Sequence, residues 1–186
     1  MKKIAKELRP ALVCFLGITI LCGIVYPLLV TGIAQMAFPN QANGSIITIT
    51  AANETKVDVG SALLGQEFTS LEYLIGRPMG VTNLAPFSEK QAALVQERIN
   101  WWHALDPNNA KAVPMDLVTA SGSGVDPNIS PEAAEYQVTR IANARGLSQD
   151  EVRAVIDKYT TGRFMGFWGE SVVNVLKVNL ALDGLI

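Results

Sequence analysis

Two patterns of apolar residues divide this chain. From Ala11 to Phe38 it reads ALVCFLGITILCGIVYPLLVTGIAQMAF, a 28-residue run that is apolar nearly all round, and no charged side chain falls between Arg9 and Glu54. A helix rises about 1.5 Å per residue and a bilayer core is roughly 30 Å thick, so about 20 apolar residues span it. The run is longer than the apolar region of about 7–15 residues in a cleaved signal, and Ala34-Gln-Met-Ala37 lacks the small-x-small spacing of a cleavage site. It predicts an uncleaved anchor over residues 10–38. Within it Thr19, Gly23, Pro27 and Thr31 recur every four residues, which places small or hydroxyl side chains on one face where a second helix can approach closely. Pro27 removes a ladder hydrogen bond and predicts a disturbance of the helix there.

Beyond residue 39 the apolar residues come in short periodic groups, as in a domain with its own core. Gln41–Ser45 reads as a turn, Ile46–Thr50 as a β-branched strand, Asn53–Thr55 as a second turn and Lys56–Val59 as a returning strand. Gly60–Phe68 and Tyr73–Pro78 are short apolar pieces broken by glycine, and Gly76-Arg77-Pro78 predicts a loop. Ser88 can cap a helix running to Leu105, with Ala92, Val95, Ile99 and Trp102 as its apolar stripe. Val113–Ser121 reads as a strand entering the glycine-serine loop Ser121–Asn128. Ser130, Pro131 and Glu132 open a helix that Gly146 stops, with Ala134, Val138, Ile141 and Ala142 on its buried side. Ser148 and Glu151 form a capping box for the next helix, with Leu147 and Val152 placed as a hydrophobic staple. Val172–Asp183 is suited to a strand, a helix or both. The fold class is α+β: one transmembrane helix, then one mixed domain over residues 39–186.

Charge sets the orientation. Lys2, Lys3, Lys6 and Arg9 precede the span against Glu7 alone, and basic flanks stay in the cytoplasm. Residues 1–9 are therefore expected inside and the domain outside. Of 15 basic and 17 acidic residues, those beyond residue 9 leave the outer part at about −5, which argues against nucleic acid as a partner.

Candidate chemistry is sparse. Cys14 and Cys22 both lie in the span, about 12 Å apart along a helix axis, too far for a disulfide. His103 is the single histidine, so a multi-histidine metal site is excluded. The Ser121–Asn128 loop lacks the Gly-Lys-Ser/Thr ending of a P-loop and the G-x-G-x-x-G of a dinucleotide site, and reads as a tight connection. Arg77 reads as a solvated or carbonyl-bound arginine, and Trp101 and Trp102 as core packing before surface recognition. No acidic or basic residue sits at membrane depth, so one such helix offers no ion path of its own.

Several segments resemble the small C subunit of the bacterial Kdp-type potassium-transporting ATPase, the KdpC family. They are Leu8-Arg-Pro-Ala11, Tyr26-Pro-Leu28, Phe38–Ser45, Gly60–Gln66, Gly76-Arg-Pro78, Asp116–Gly124, Ile129–Val138, Val173-Asn-Val175 and Asn179–Asp183, in order along nearly the whole chain. One departure stands out: the family's longer Gly-Ser-Asn loop after Gly-Arg-Pro is reduced here to the short stretch 79–88.

The resemblance implies an accessory, non-catalytic subunit of a high-affinity ATP-driven potassium importer in the bacterial inner membrane. Its partners would be the potassium-translocating channel-like subunit, the P-type ATPase subunit and a very small single-span subunit. ATP, Mg and K+ would act at the level of the complex, with hydrolysis on the ATPase subunit. The family is also described as a catalytic chaperone that raises ATP affinity, with nucleotide contact attributed to the region of Gln66. Outside placement of Gln66 conflicts with contact to cytoplasmic ATP, so an indirect effect is expected. The alternative is an anchored extracytoplasmic binding module with no pump partner. An anchored enzyme is poorly supported, because the outer part has one histidine and no cysteine.

Overall fold

The computed structural model describes residues 2–51 and 54–186, and the chain divides into two compact units between Ser45 and Ile46. The first unit is α1 (Lys2–Ile20), a π turn (Leu21–Val25), α2 (Tyr26–Ala37) and the short α3 (Pro39–Ala42). The stretch Lys6–Ala37, 32 residues of mean hydropathy 2.5, is long and apolar enough to cross a membrane. The turn expected from Gln41 narrows to Asn43-Gly44, because Pro39 starts α3 two residues earlier. Asn43 then folds back on α2: its amide exchanges hydrogen bonds with that of Gln35 at 3.1 and 3.2 Å.

The second unit starts with β1 (Ile46–Thr50) and β2 (Lys56–Ser61), an antiparallel pair with a register shift between Ile47 and Thr48. The turn expected between them includes Asn53, which lies outside the described residues. There follow α4 (Glu89–Leu105), α5 (Met115–Val118), β3 (Asn128–Ile129), α6 (Pro131–Arg145), α7 (Gln149–Lys158), β4 (Thr160–Thr161), β5 (Val172–Asn174) and α8 (Val175–Leu182). β5 lies between β3 and β4, antiparallel to both. The domain is α+β, as the alternation of periodicities predicts.

Local chemistry explains most boundaries. Ser88, Ser130 and Ser148 each accept a backbone N–H at the start of α4, α6 and α7, and Glu151 completes the capping box by bonding back to Ser148. Gly146, at φ 66, closes α6. Ala134, Val138, Ile141 and Ala142 are all buried, together with Trp102, Val152, Ile156, Val173 and Val178. Two details differ from expectation: Ala92 lies on the exposed side of α4, and Leu147, the expected staple onto Val152, is exposed.

The strand expected at Val113–Ser121 is instead the single helical turn α5. Leu117 and Val118 are buried as a strand reading requires, but their carbonyls are taken by side chains of α4. Trp102 Nε1 donates to Leu117 at 3.1 Å and Arg98 Nη1 to Val118 at 2.8 Å. Thr119 Oγ1 donates back to the Met115 carbonyl at 2.8 Å, closing the turn. Buried carbonyls need a donor of some kind, and here α4 supplies what a strand partner would have supplied.

Candidate functional site

In the first unit Thr19 lies in α1, Gly23 in the π turn, and Pro27 and Thr31 in α2, all exposed. The disturbance expected at Pro27 takes the form of that π turn: Tyr26 N–H donates to the carbonyl of Leu21, five residues back. In a regular α-helix residues four apart drift by about 40° per step, so Thr19 and Thr31 would be splayed by about 120°. A π turn takes back roughly the rotation of one residue, about 100°. The underwound turn therefore narrows that spread, so that the four residues fall nearer one face of the helix. A Cβ built on Gly23 meets nothing within 4 Å.

In the second unit the sites cluster around an irregular segment, Leu71–Ile75, that belongs to no strand. Side chains do the pairing. Asn179 of α8 accepts the Leu74 N–H at 2.7 Å and donates to its carbonyl at 2.9 Å. Gln137 of α6 does the same for Ile75, at 2.8 and 2.9 Å. Each amide thus imitates one residue of a neighbouring strand. Arg140 donates to the carbonyls of Leu71 and Tyr73, and Arg145 donates to that of Glu72 at 2.7 Å. Arg140 is 5% exposed and has no carboxylate partner among the described residues. Burial lowers its pKa to about 10, so it stays a cation at neutral pH. Carbonyl oxygens, Gln137 and the face of Trp102, 5.8 Å away, take the place of water around it.

The clamped segment delivers Gly76-Arg77-Pro78 to the surface between two hollows. One, of about 220 Å³, is lined by Gln66, Phe68, Arg77, Arg98, Trp101 and Trp102, among others. The other, of about 250 Å³, is lined by Arg77, Asp116, Asp126 and Glu170. Arg77 is carbonyl-bound, one of the two expected arrangements, through Nη1 to the Thr119 carbonyl at 3.5 Å, and it is ion-paired as well. Its Nη2 lies 2.5 Å from Asp116 Oδ1, and its Nε is 3.7 Å from Asp126. Asp116 Oδ2 accepts the Ser130 N–H at 2.7 Å, tying Arg77 to the start of α6.

Gln66 lines the first hollow, but its amide is already engaged. Nε2 donates to the Val59 carbonyl at 3.1 Å and occupies the space over Gly60, where a Cβ would lie 2.0 Å from it. Gly60 also sits at φ 146, in the region that favours glycine. The Ser121–Asn128 loop behaves as the tight connection its glycines predict: Gly124 is at φ 71, and its carbonyl accepts the Gly80 N–H at 2.8 Å. Trp102 is buried, whereas Trp101 is 41% exposed at the rim of the first hollow.

A family model described as "K+-transporting ATPase, c chain" (KdpC) matches residues 8–184. The chain belongs to the KdpC family. A potassium-transporting ATPase KdpC subunit of Listeria monocytogenes serotype 4a is 55% identical over 188 residues, covering 100% of this chain and 99% of the relative. Relatives of the same description from Clostridium perfringens and Janthinobacterium sp. are 46% and 47% identical, over 97% and 94% of this chain and 98% and 96% of their own.

The segments that carry the KdpC resemblance acquire physical roles here. Gly60–Gln66 contains the latch over Val59, Ile129–Val138 contains Gln137, and Asn179–Asp183 opens with the amide that holds Leu74. Sequence reasoning passed over Gln137, Asn179 and Arg140 as helix residues. For Gln137 and Asn179 a signal was present: each is a polar residue flanked by apolar ones on a core-facing stretch. Such a residue is kept only where it finds buried partners.

Proposed function

We propose that this KdpC-family chain serves as an accessory, non-catalytic subunit of a K+-transporting ATPase. It holds or biases the chains that carry the ion and hydrolyse ATP. The observation that carries this reading is the engagement of the domain's polar side chains with its own backbone. Gln66, Gln137, Asn179, Arg98 and Arg140 are each committed to main-chain groups. Side chains used this way build a rigid body for other chains to lean on. The span contributes through the face near Thr19, Gly23, Pro27 and Thr31, which admits a neighbouring helix.

The basic flank before Ala11 supports an inside N-terminus, with the domain on the outer face of the inner membrane. ATP then lies on the far side of the bilayer from Gln66. A chaperone-like rise in the ATP affinity of the ATPase subunit follows if this subunit prefers one conformation of the assembly, because coupling needs only differential binding. The latch of Gln66 on Val59 supports that indirect route.

The test is calorimetric titration of the full-length chain in detergent with MgATP, together with co-purification of the complex with and without the chain. We expect no ATP binding tighter than the millimolar range, about −4 kcal/mol, and loss of potassium-dependent growth when the chain is deleted. Micromolar binding abolished by Gln66→Ala would make this subunit a direct nucleotide contact. Unimpaired growth, with no co-purifying partner, would favour the free binding module.

A further inference from the structure

Among the described residues, the Cys22 carbonyl in the middle of the span has no backbone donor of its own. The carbonyl of Cys22 would be bonded by residue 26 in an α turn or by residue 27 in a π turn. Tyr26 N–H is committed to Leu21, and Pro27 has no N–H. Among the described residues, Gln35, Asn43 and Pro39 share side-chain hydrogen bonds in this unit, and none of these involves Cys22. Cys22 lies roughly 20 Å along the axis from Arg9 and about 24 Å from Phe38, at the depth where a bilayer offers no water to complete the pairing. A charged donor at that depth is costly, whereas a hydroxyl or amide is tolerated. Gly23 follows directly, with nothing within 4 Å of its would-be Cβ, so the approach is open.

We propose that the Cys22 carbonyl accepts a hydrogen bond from a neutral side chain, a hydroxyl or a carboxamide, on a membrane helix of another chain of the K+-transporting ATPase. The proposal rests on the subunit reading and adds an atom-level contact to it. The π turn at Pro27 thereby becomes a docking device. It exposes an acceptor that the helix cannot satisfy alone, and a partner helix gains that bond only by packing against this face.

The chain holds only two cysteines, Cys14 and Cys22, which makes the contact measurable. A Cys14→Ala chain grown on cysteine labelled with 13C at the carbonyl carries one labelled backbone carbonyl, at residue 22. Its infrared amide band falls in wavenumber when the oxygen is hydrogen-bonded. The expected result is a high-wavenumber band for the labelled full-length chain alone in lipid bilayers, moving down when it is assembled with unlabelled partner subunits. Pro27→Leu, which restores an N–H, should give the low position in both states. A band already low in the chain alone, from water or a second copy, would overturn the proposal, as would a band unmoved by assembly. So would a Pro27→Leu band that stays high. If the partners co-purify while the band does not move, the subunit reading stands and this contact falls.

Discussion

Gln137 and Ile75 lie 62 positions apart in the chain and pair as two strand residues would. The side-chain amide accepts the Ile75 N–H at 2.8 Å and donates to its carbonyl at 2.9 Å. Replacing Gln137 by Leu keeps the volume and removes both bonds, leaving two buried main-chain groups unpaired. The expected loss is about 2–4 kcal/mol of domain stability. It should appear as a lowered urea midpoint with unchanged slope.

The latch of Gln66 over Gly60 makes a second prediction. Gly60→Ala drives a Cβ into Gln66 Nε2 and should cost about 1–3 kcal/mol. Adding Gln66→Ala removes the clash but leaves alanine at φ 146, so the double variant should recover only part of the loss. A double-mutant cycle on urea midpoints measures it. Strict additivity would mean the two residues do not meet.

Glu135 and Arg153 form a forked pair on the surface, with the closest N–O distance 2.8 Å. The hydrogen bonds from Arg153 hold the Glu135 carboxyl below its ordinary value of 4.5. A carboxylate whose folded pKa is depressed adds stability above its unfolded pKa, and that stability is lost as pH falls through the folded value. With both side chains about half exposed, the gain is on the order of 0.2–1 kcal/mol. The wild-type chain should therefore exceed Glu135→Gln in stability at pH 7, and the difference should vanish in acid below 4.5. A difference that grows in acid would refute the assignment.

Gly23→Leu should leave membrane insertion intact, since Leu is favourable in lipid, while blocking close approach of a neighbouring helix. Co-purification of partner subunits in mild detergent is expected to fall several-fold. Undiminished recovery of the partners would remove this face from the interface.

Orientation is testable separately, by reporters fused after Ile186. Alkaline phosphatase activity without cytoplasmic fluorescence is expected from the basic residues before Ala11. The reverse result would place the domain inside, where ATP is accessible.

The sequence makes the regular parts of this protein readable because their rules are local. Serine caps, the capping box at Ser148, the glycine stop at Gly146 and the apolar run of the span all depend on residues within one or two turns. What it hides is non-local. Nothing near Leu71–Ile75 announces that its hydrogen bonds come from Gln137, Arg140, Arg145 and Asn179, more than 60 positions downstream. Val113–Ser121 was misread for the same reason: its apolar residues are buried, but the donors to their carbonyls come from α4. Periodicity registers burial and is silent on which group completes a hydrogen bond.

Arg77 forms part of the wall of both hollows, and its guanidinium is the cation within ion-pair distance of Asp116 and Asp126. The two hollows therefore cannot hold charge independently. An anion that draws Arg77 into the first leaves Asp116 and Asp126 less compensated in the second. By linkage, whatever tightens Asp116 and Asp126 on Arg77 weakens such an anion to the same degree.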